Sequence, residues 1–143
     1  MEYLIAHIGH TTKSCEHLTW WKPDSRGYTV CIEKAGLYTE AEARGICRSS
    51  FCIAVVKDEA AKLARSTPYY RKSNGDLARL YDGGPHAVVP NGRNEWKVLM
   101  GVAMDCGQKP DKPTPIGAKA RAVYLPDERT QAQKEQRNAG NVD

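Results

Sequence analysis

The stretch "HLTWWKPDSRGYTVCI", residues 17–32, predicts a β-hairpin and thereby decides the fold class. Apolar and polar residues alternate over 17–22 and again over 27–32, on either side of the turn "PDSR". Pro23 suits the first corner of this turn, and Gly27 suits the positive φ that is often needed where a loop rejoins its strand. We therefore expect an antiparallel pair of strands here.

The adjacent tryptophans Trp20 and Trp21 are expected to face opposite sides of this hairpin, because successive side chains on a strand alternate. A strand predicted at residues 2–8 would lie beside the hairpin and extend both of its faces. The face predicted to form the core takes Leu4, Ala6, Ile8, Leu18, Trp20, Tyr28, Val30 and Ile32. The opposite face takes Tyr3, Ile5, His7, His17, Thr19, Trp21, Thr29 and Cys31.

The segments that follow the hairpin complete a small α+β domain, with a mostly antiparallel sheet packed against two or three helices. Thr39 and Glu42 form the T-x-x-E pattern of a capping box, so a helix is expected from about Thr39 to Cys47. The apolar run at 51–56 predicts a buried strand, and residues 57–66 predict a helix of about two turns.

The later part of the chain is expected to be less regular. Residues 67–90 are rich in proline and glycine, which indicates loops with only brief regular pieces at "DLARLY" and "AVV". A final helix is predicted to begin at Asn91 or Asn94. Residues 107–143 contain four prolines and few large apolar side chains, too few to offset the entropy of ordering the segment. The predicted organisation is one α+β domain over 1–106 followed by a mostly disordered tail over 107–143, with docking of "ARAVYL" (120–125) on the domain or on a partner as the alternative. Apolar residues at helical spacing in the final helix are Trp96, Leu99, Met100 and Ala103.

Composition limits the class of protein. The chain has 143 residues, of which 41% are hydrophobic and 27% charged, as in an ordinary globular domain. Its net charge of +4 is compatible with nucleic acid or with an acidic protein partner and requires neither. No apolar run approaches the roughly 20 residues that span a bilayer, and "MEYLIAHIGH" does not resemble an export signal. Five cysteines are an odd number, and without an export signal this favours reduced thiols in the cytoplasm.

The face that carries Trp21 is the candidate binding surface. Exposed aromatic rings flanked by basic side chains are typical of sites for protein partners and for single-stranded nucleic acid. The alternative is that the segment 67–90 or the tail covers this face and makes it a second small core. The candidate partner-binding residues are Trp21, Lys22, Arg26 and His17 on the hairpin, and Tyr69, Tyr70, Arg71 and Lys72 in the stretch "PYYRKSNG".

Histidines and cysteines near the N-terminus raise two further possibilities. His7, His10, Cys15 and His17 are potential zinc ligands within eleven residues, although their spacing repeats no known zinc finger. Cys15 or Cys31 beside His17 could form a cysteine–histidine pair for nucleophilic catalysis. Solvated histidines and buried inert thiols are the alternatives to both, and the sequence predicts no metal and no cofactor.

The hairpin and the helix after it resemble a type of small phage-encoded or prophage-encoded protein. The resemblance is carried by "TWWKPDSRGYT" and, after a short gap, "AGLYTEAEA", and it covers roughly the first third of the chain. It implies a viral or mobile-element origin and action in the cytoplasm of a bacterial host. Small phage proteins of this size often act by stoichiometric binding to host machinery, including defence systems, and the resemblance implies no catalytic residue.

Three functions follow as hypotheses. The leading one is a non-enzymatic accessory protein whose hairpin face binds a host macromolecule and inhibits a defence or regulatory complex. The second is nucleic-acid binding through the aromatic and basic residues named above. The third is a small-ligand binder or an enzyme that uses His7, His17 and Cys31.

Overall fold

The computed structural model describes residues 1–67, 69–79 and 86–125, and in these residues an antiparallel sheet carries helices on both faces. In chain order the elements are β1 (Tyr3–His7), β2 (Trp20–Trp21), β3 (Tyr28–Thr29), α1 (Glu40–Ile46), β4 (Cys52–Val56), α2 (Lys57–Ala61), β5 (Arg65–Thr67), β6 (Tyr69–Arg71), β7 (Leu77–Arg79), β8 (His86–Val88), α3 (Arg93–Val102) and β9 (Val123–Leu125). The main sheet has the order β3-β2-β1-β4, and each neighbouring pair is antiparallel. The predicted α+β class is confirmed.

The first face of the main sheet forms the larger core. Leu4 and Ala6 of β1 lie there beside Trp20, all three fully buried, and α2 and α3 cover them. From α3 the indole of Trp96 and the side chain of Leu99 reach into this core, as the helical spacing predicts. Burial of such side chains contributes about 1.5–3 kcal/mol each, so this face dominates the stability of the fold.

The second face of the main sheet is covered by α1. Ile5 of β1 and Ala54 of β4 pack there against Ala43 of the helix. The helix begins with the predicted capping box, in which the Glu42 N–H donates to Thr39 Oγ1 over 3.2 Å and the Thr39 N–H donates to Glu42 Oε1 over 2.9 Å. The alternative is right that this face forms a second small core, which we call the second core, but the segment that covers it is α1.

The register of the hairpin corrects the predicted faces of its second strand. Trp21 lies opposite Tyr28, and Trp20 lies opposite Thr29. Directly paired residues share a face, so Tyr28 joins Trp21 and Thr29 joins Trp20, the reverse of the expectation. The reason is the connection 22–27, which holds an even number of residues and therefore pairs odd-numbered positions with even-numbered ones. The strand also ends at Thr29, and Ile32 reaches the larger core from a short 3-10 turn instead.

The segment predicted to be irregular contains short strands in two small sheets. Strand β5 pairs with β8, and β6 lies between β7 and β9. The helix predicted over 57–66 ends at Ala61, and β5 follows it. The β6–β7 hairpin closes at Gly75, whose φ of 92° is in the left-handed region that glycine favours. The tail prediction is corrected for residues 107–119, which pack on the domain; "ARAVYL" docks there as the alternative allowed, and 126–143 lie outside the described residues.

A buried asparagine attaches this segment to the domain. The fully buried side chain of Asn91 donates from Nδ2 to the carbonyl oxygens of Thr12 and Cys15, each over 2.9 Å, and of Thr114 over 3.3 Å. Its Oδ1 accepts the indole N–H of Trp96 over 2.6 Å. Asn91 thus joins the N-terminal loop, α3 and the C-terminal segment, and the predicted start of the final helix is moved to Arg93.

Candidate functional site

An aromatic cluster lies at one end of the second face of the main sheet, where α1 leaves part of it accessible. We call His7, His10, Trp21, Tyr28 and Phe51 the aromatic cluster. The ring centroids of Trp21 and Tyr28 are 4.4 Å apart, and those of His10 and Tyr28 are 4.0 Å apart. His7 stacks on Phe51 at 5.0 Å with an interplanar angle of 30°. Four separate segments of chain therefore contribute rings to one continuous surface.

His7 is the buried centre of this cluster. Its ring also contacts Trp21 at 5.6 Å and Tyr28 at 5.1 Å, both edge to face. The backbone N–H of His10 donates to His7 Nδ1 over 3.0 Å, so the neutral ring carries its proton on Nε2. Burial, and secondarily the neighbouring His10, lowers the pKa of His7 below its ordinary value. At neutral pH the ring is consequently uncharged and acts as a packing surface.

The indole of Trp21 is fixed from behind by a cysteine. Its Nε1–H donates to Cys52 Sγ over 3.3 Å, and the half-buried ring packs on the α1 side of the sheet. Burial raises the pKa of the Cys52 thiol, so it remains protonated and is a poor nucleophile. Cys52 therefore orients the indole and is not placed for nucleophilic chemistry.

The turn that carries Lys22 and Arg26 is rigidly held. Asp24 and Ser25 both adopt positive φ, 57° and 55°, a conformation that costs free energy for residues other than glycine. Tyr38 compensates, because its hydroxyl donates to the carbonyl of Lys22 and accepts the N–H of Ser25 over 3.1 Å. The half-buried Lys22 and the exposed Arg26 are thus positioned at the margin of the aromatic cluster.

The candidate residues do not form one surface. His17 lies elsewhere, buried against the rings of Tyr70 at 4.9 Å and Tyr124 at 5.7 Å, and burial lowers its pKa to about 4. Tyr70 is also buried, so neither residue is accessible to a partner. Of the candidate residues on the β6–β7 hairpin, Tyr69, Arg71 and Lys72 are exposed. The hairpin residues Trp21, Lys22 and Arg26 belong to the aromatic cluster and its margin.

The zinc site considered from the sequence is not assembled in the described part of the chain. Among residues 1–67, 69–79 and 86–125 no three histidine, cysteine or acidic side chains converge as a metal site. His7 and His10 are in contact, with ring centroids 4.5 Å apart, but His17 lies in the separate cluster with Tyr70. Cys15 instead contacts the Thr12 hydroxyl over 3.5 Å, and Cys31 is fully buried.

Two members of the aromatic cluster were missed as site residues by the sequence analysis. The sequence analysis assigned Tyr28 to the core face. The even number of residues in the connection 22–27 places it beside Trp21 instead. Phe51 was read as the start of a buried strand, although it precedes β4 and is 42% exposed.

No described helix has the length and apolar character that a membrane span requires. In comparisons with known proteins, no family model, no curated protein and no solved structure matches this chain.

Proposed function

We propose that this chain is a non-enzymatic binding protein that contacts a partner protein through the aromatic cluster. The observation that carries the proposal is the exposed ring of Phe51, which stacks on His7, the residue that also contacts the half-buried rings of Trp21 and Tyr28. Aromatic residues are enriched among the side chains that contribute most to protein–protein binding. A protein with this surface would bind without performing a chemical step.

Rigidity of the cluster supports a binding role. The indole of Trp21 is held by Cys52, and the ring of Phe51 is stacked on His7. Side chains that are already ordered lose less conformational entropy when a partner binds, which increases affinity. The turn with Lys22 and Arg26 adds positive charge at the margin and favours a partner whose matching rim is acidic.

The partner that we propose is a host protein complex in the bacterial cytoplasm, bound so that a defence or regulatory activity is inhibited. The support is the resemblance of "TWWKPDSRGYT" and "AGLYTEAEA" to phage-encoded proteins together with the aromatic cluster itself. The first of these motifs supplies Trp21 and Tyr28 of the cluster and also the turn at its margin.

A capture experiment with matched variants tests the proposal. The wild-type protein, Phe51→Ala and Val98→Ala are immobilised in bacterial lysate treated with nuclease, and the retained proteins are quantified by mass spectrometry. Phe51 and Val98 are 42% and 43% exposed, so both substitutions remove a similarly accessible apolar side chain. We expect a retained partner that Phe51→Ala loses at least tenfold and Val98→Ala keeps. Equal retention by both variants would contradict the proposal.

Trp21→Ala is a less direct test. The indole of Trp21 packs in the second core and bonds to Cys52, so its removal lowers the free energy of unfolding by about 2 kcal/mol. Binding measured with Trp21→Ala must therefore be corrected for the unfolded fraction, whereas Phe51→Ala avoids this difficulty.

A further inference from the structure

The three-stranded sheet β7-β6-β9 presents a second surface, distinct from the aromatic cluster. Tyr69 of β6 pairs with Arg79 on one side and with Leu125 on the other, and the next outward residue, Arg71, pairs with Leu77 and Val123. Paired residues share a face, and alternate residues on one strand do so as well. The side that we call the outer face therefore carries Tyr69, Arg71, Leu77, Arg79, Val123 and Leu125.

Burial separates the two sides of this small sheet. Tyr70 and Tyr124 point inward, are 9% and 8% exposed, and pack with Val88. On the outer face Tyr69 is 42% exposed and Leu77 is 59% exposed. The inner side is thus filled by the domain, while the outer face is accessible to a ligand.

The charges on the outer face have a single sign. Arg71 and Arg79 are its two charged residues, both exposed, and none of the six side chains is a carboxylate. The guanidinium of Arg71 is oriented by donating from Nη1 to the carbonyl oxygen of Gly75 over 2.8 Å. At the turn the exposed Lys72 and Asp76 face each other and together add no net charge, so the arginines alone set the sign. A ligand for this face is expected to be anionic.

The position of Tyr69 adds a second requirement. Tyr69 lies on the middle strand, paired with Arg79 on one side and Leu125 on the other, and Arg71 follows two residues along the same strand. A tyrosine ring on a flat sheet stacks well on another planar group, and nucleic-acid bases are planar while the backbone that joins them is anionic. An acidic peptide would meet the charge requirement but not the requirement for a planar group that stacks on the ring.

We propose that the outer face of β7-β6-β9 binds single-stranded nucleic acid, with Tyr69 stacked on a base and with Arg71 and Arg79 contacting phosphates. Unpaired strands fit because their bases are free to stack, whereas the bases of a duplex are already stacked on one another. This proposal does not rest on the proposed protein partner, because the two surfaces use different residues.

Fluorescence anisotropy with a labelled oligothymidylate of about 16 nucleotides tests the proposal. We expect saturable binding by the wild type, a loss of about tenfold in affinity with Tyr69→Ala, and near wild-type affinity with Tyr69→Phe, which keeps the ring. Arg79→Ala removes one phosphate contact and should therefore reduce the slope of log K against log salt concentration by about 0.7. Arg93→Ala, which removes an exposed arginine from α3, is the matched control and should change neither quantity.

Several results would overturn the proposal. They are absence of saturable binding by the wild type at about 50 mM salt, equal affinity of Tyr69→Ala and wild type, and weakening by Tyr69→Phe as strong as that by Tyr69→Ala. Displacement of the oligonucleotide by poly-glutamate as effectively as by unlabelled oligothymidylate would indicate a site for acidic peptides instead. Phe51→Ala should bind the oligonucleotide like the wild type, so failure of either proposal is recognised separately.

Discussion

The indole N–H of Trp21 donates a hydrogen bond to the sulfur of Cys52, and this 3.3 Å contact joins two strands that do not pair with each other. Strand β1 lies between them, so the contact spans its full width on the α1 side of the sheet. Trp21 therefore belongs both to the aromatic cluster and to the core on the α1 side of the sheet.

A double-mutant cycle measures this contact. Trp21→Ala is expected to lower the free energy of unfolding by about 2 kcal/mol and Cys52→Ala by about 1 kcal/mol, because each leaves a cavity at the second core. The double variant should lose about 0.5 kcal/mol less than the sum, since the hydrogen bond is lost only once. Urea unfolding of the four proteins gives these values, and strict additivity would show that the contact contributes nothing.

Gly36 is expected to tolerate no side chain. A Cβ placed there would lie 2.8 Å from the backbone nitrogen of Pro23 and 2.9 Å from the carbonyl carbon of Lys22. Gly36→Ala should therefore displace the turn at the margin of the aromatic cluster and lower the free energy of unfolding by about 1–3 kcal/mol. Thermal unfolding measures the change.

Gly45 provides the control for this substitution. It lies within α1 and a Cβ there would meet no atom within 4 Å. Gly45→Ala should therefore raise the free energy of unfolding by roughly 0.5–1 kcal/mol, because alanine favours the helix. A Gly36→Ala protein as stable as the wild type would contradict the close approach of residue 36 to the turn.

Local signals in the sequence were sufficient for several elements. The T-x-x-E pattern located the start of α1, and the apolar run at 51–56 located β4. That Tyr28 and Trp21 share a face follows from the number of residues in the connection 22–27, and a hydropathy pattern does not give that number. Residues 107–119 dock through hydrogen bonds, among them those to Asn91, which a count of apolar residues does not detect, whereas the apolar piece "ARAVYL" gave a signal for the docking of β9. The β6–β7 hairpin had a recognisable signal in Asn74–Gly75, which was overlooked.

Thiol reactivity should follow burial. Cys31, Cys47 and Cys52 are buried, whereas Cys15 and Cys106 are partly accessible. Burial also raises the pKa of Cys47 to about 12, with smaller contributions from Cys106 and Cys52, so at pH 7 almost none of it is thiolate. Brief alkylation of the native protein with iodoacetamide should modify Cys15 and Cys106 first, as read by peptide mass spectrometry. Rapid native labelling of Cys47 would contradict its placement.

The side chain of Asn91 should be among the most sensitive positions. Asn91→Ala removes four hydrogen bonds and leaves the indole N–H of Trp96 and three carbonyl oxygens without this partner. Unpaired buried groups cost about 1–3 kcal/mol each before relaxation, so we expect a loss of at least 3 kcal/mol in the free energy of unfolding. Asn94→Ala changes an exposed asparagine three residues later and should stay within about 0.5 kcal/mol of the wild type. Urea unfolding compares the two variants.

Acid should destabilise the protein through His17. This ring is 5% exposed, and burial lowers its pKa from 6.5 to about 4. Below pH 6.5 the unfolded chain binds a proton at His17 that the folded chain does not bind. The contribution of His17 to the free energy of unfolding is therefore fully present above pH 6.5 and is lost as the pH falls toward 4. Between pH 7 and pH 5 this lowers the free energy of unfolding by about 2 kcal/mol.

His17→Phe isolates this contribution. Phenylalanine retains a ring of similar size against Tyr70 and Tyr124 but has no proton to bind. The pKa of His7 is also lowered, and its effect has the same sign, but His7 is present in both proteins and cancels in the comparison. Urea unfolding at pH 7 and pH 5 should show the wild type losing about 2 kcal/mol more than His17→Phe between the two. Equal losses would mean that the imidazole of His17 is solvated and can accept a proton in the folded state.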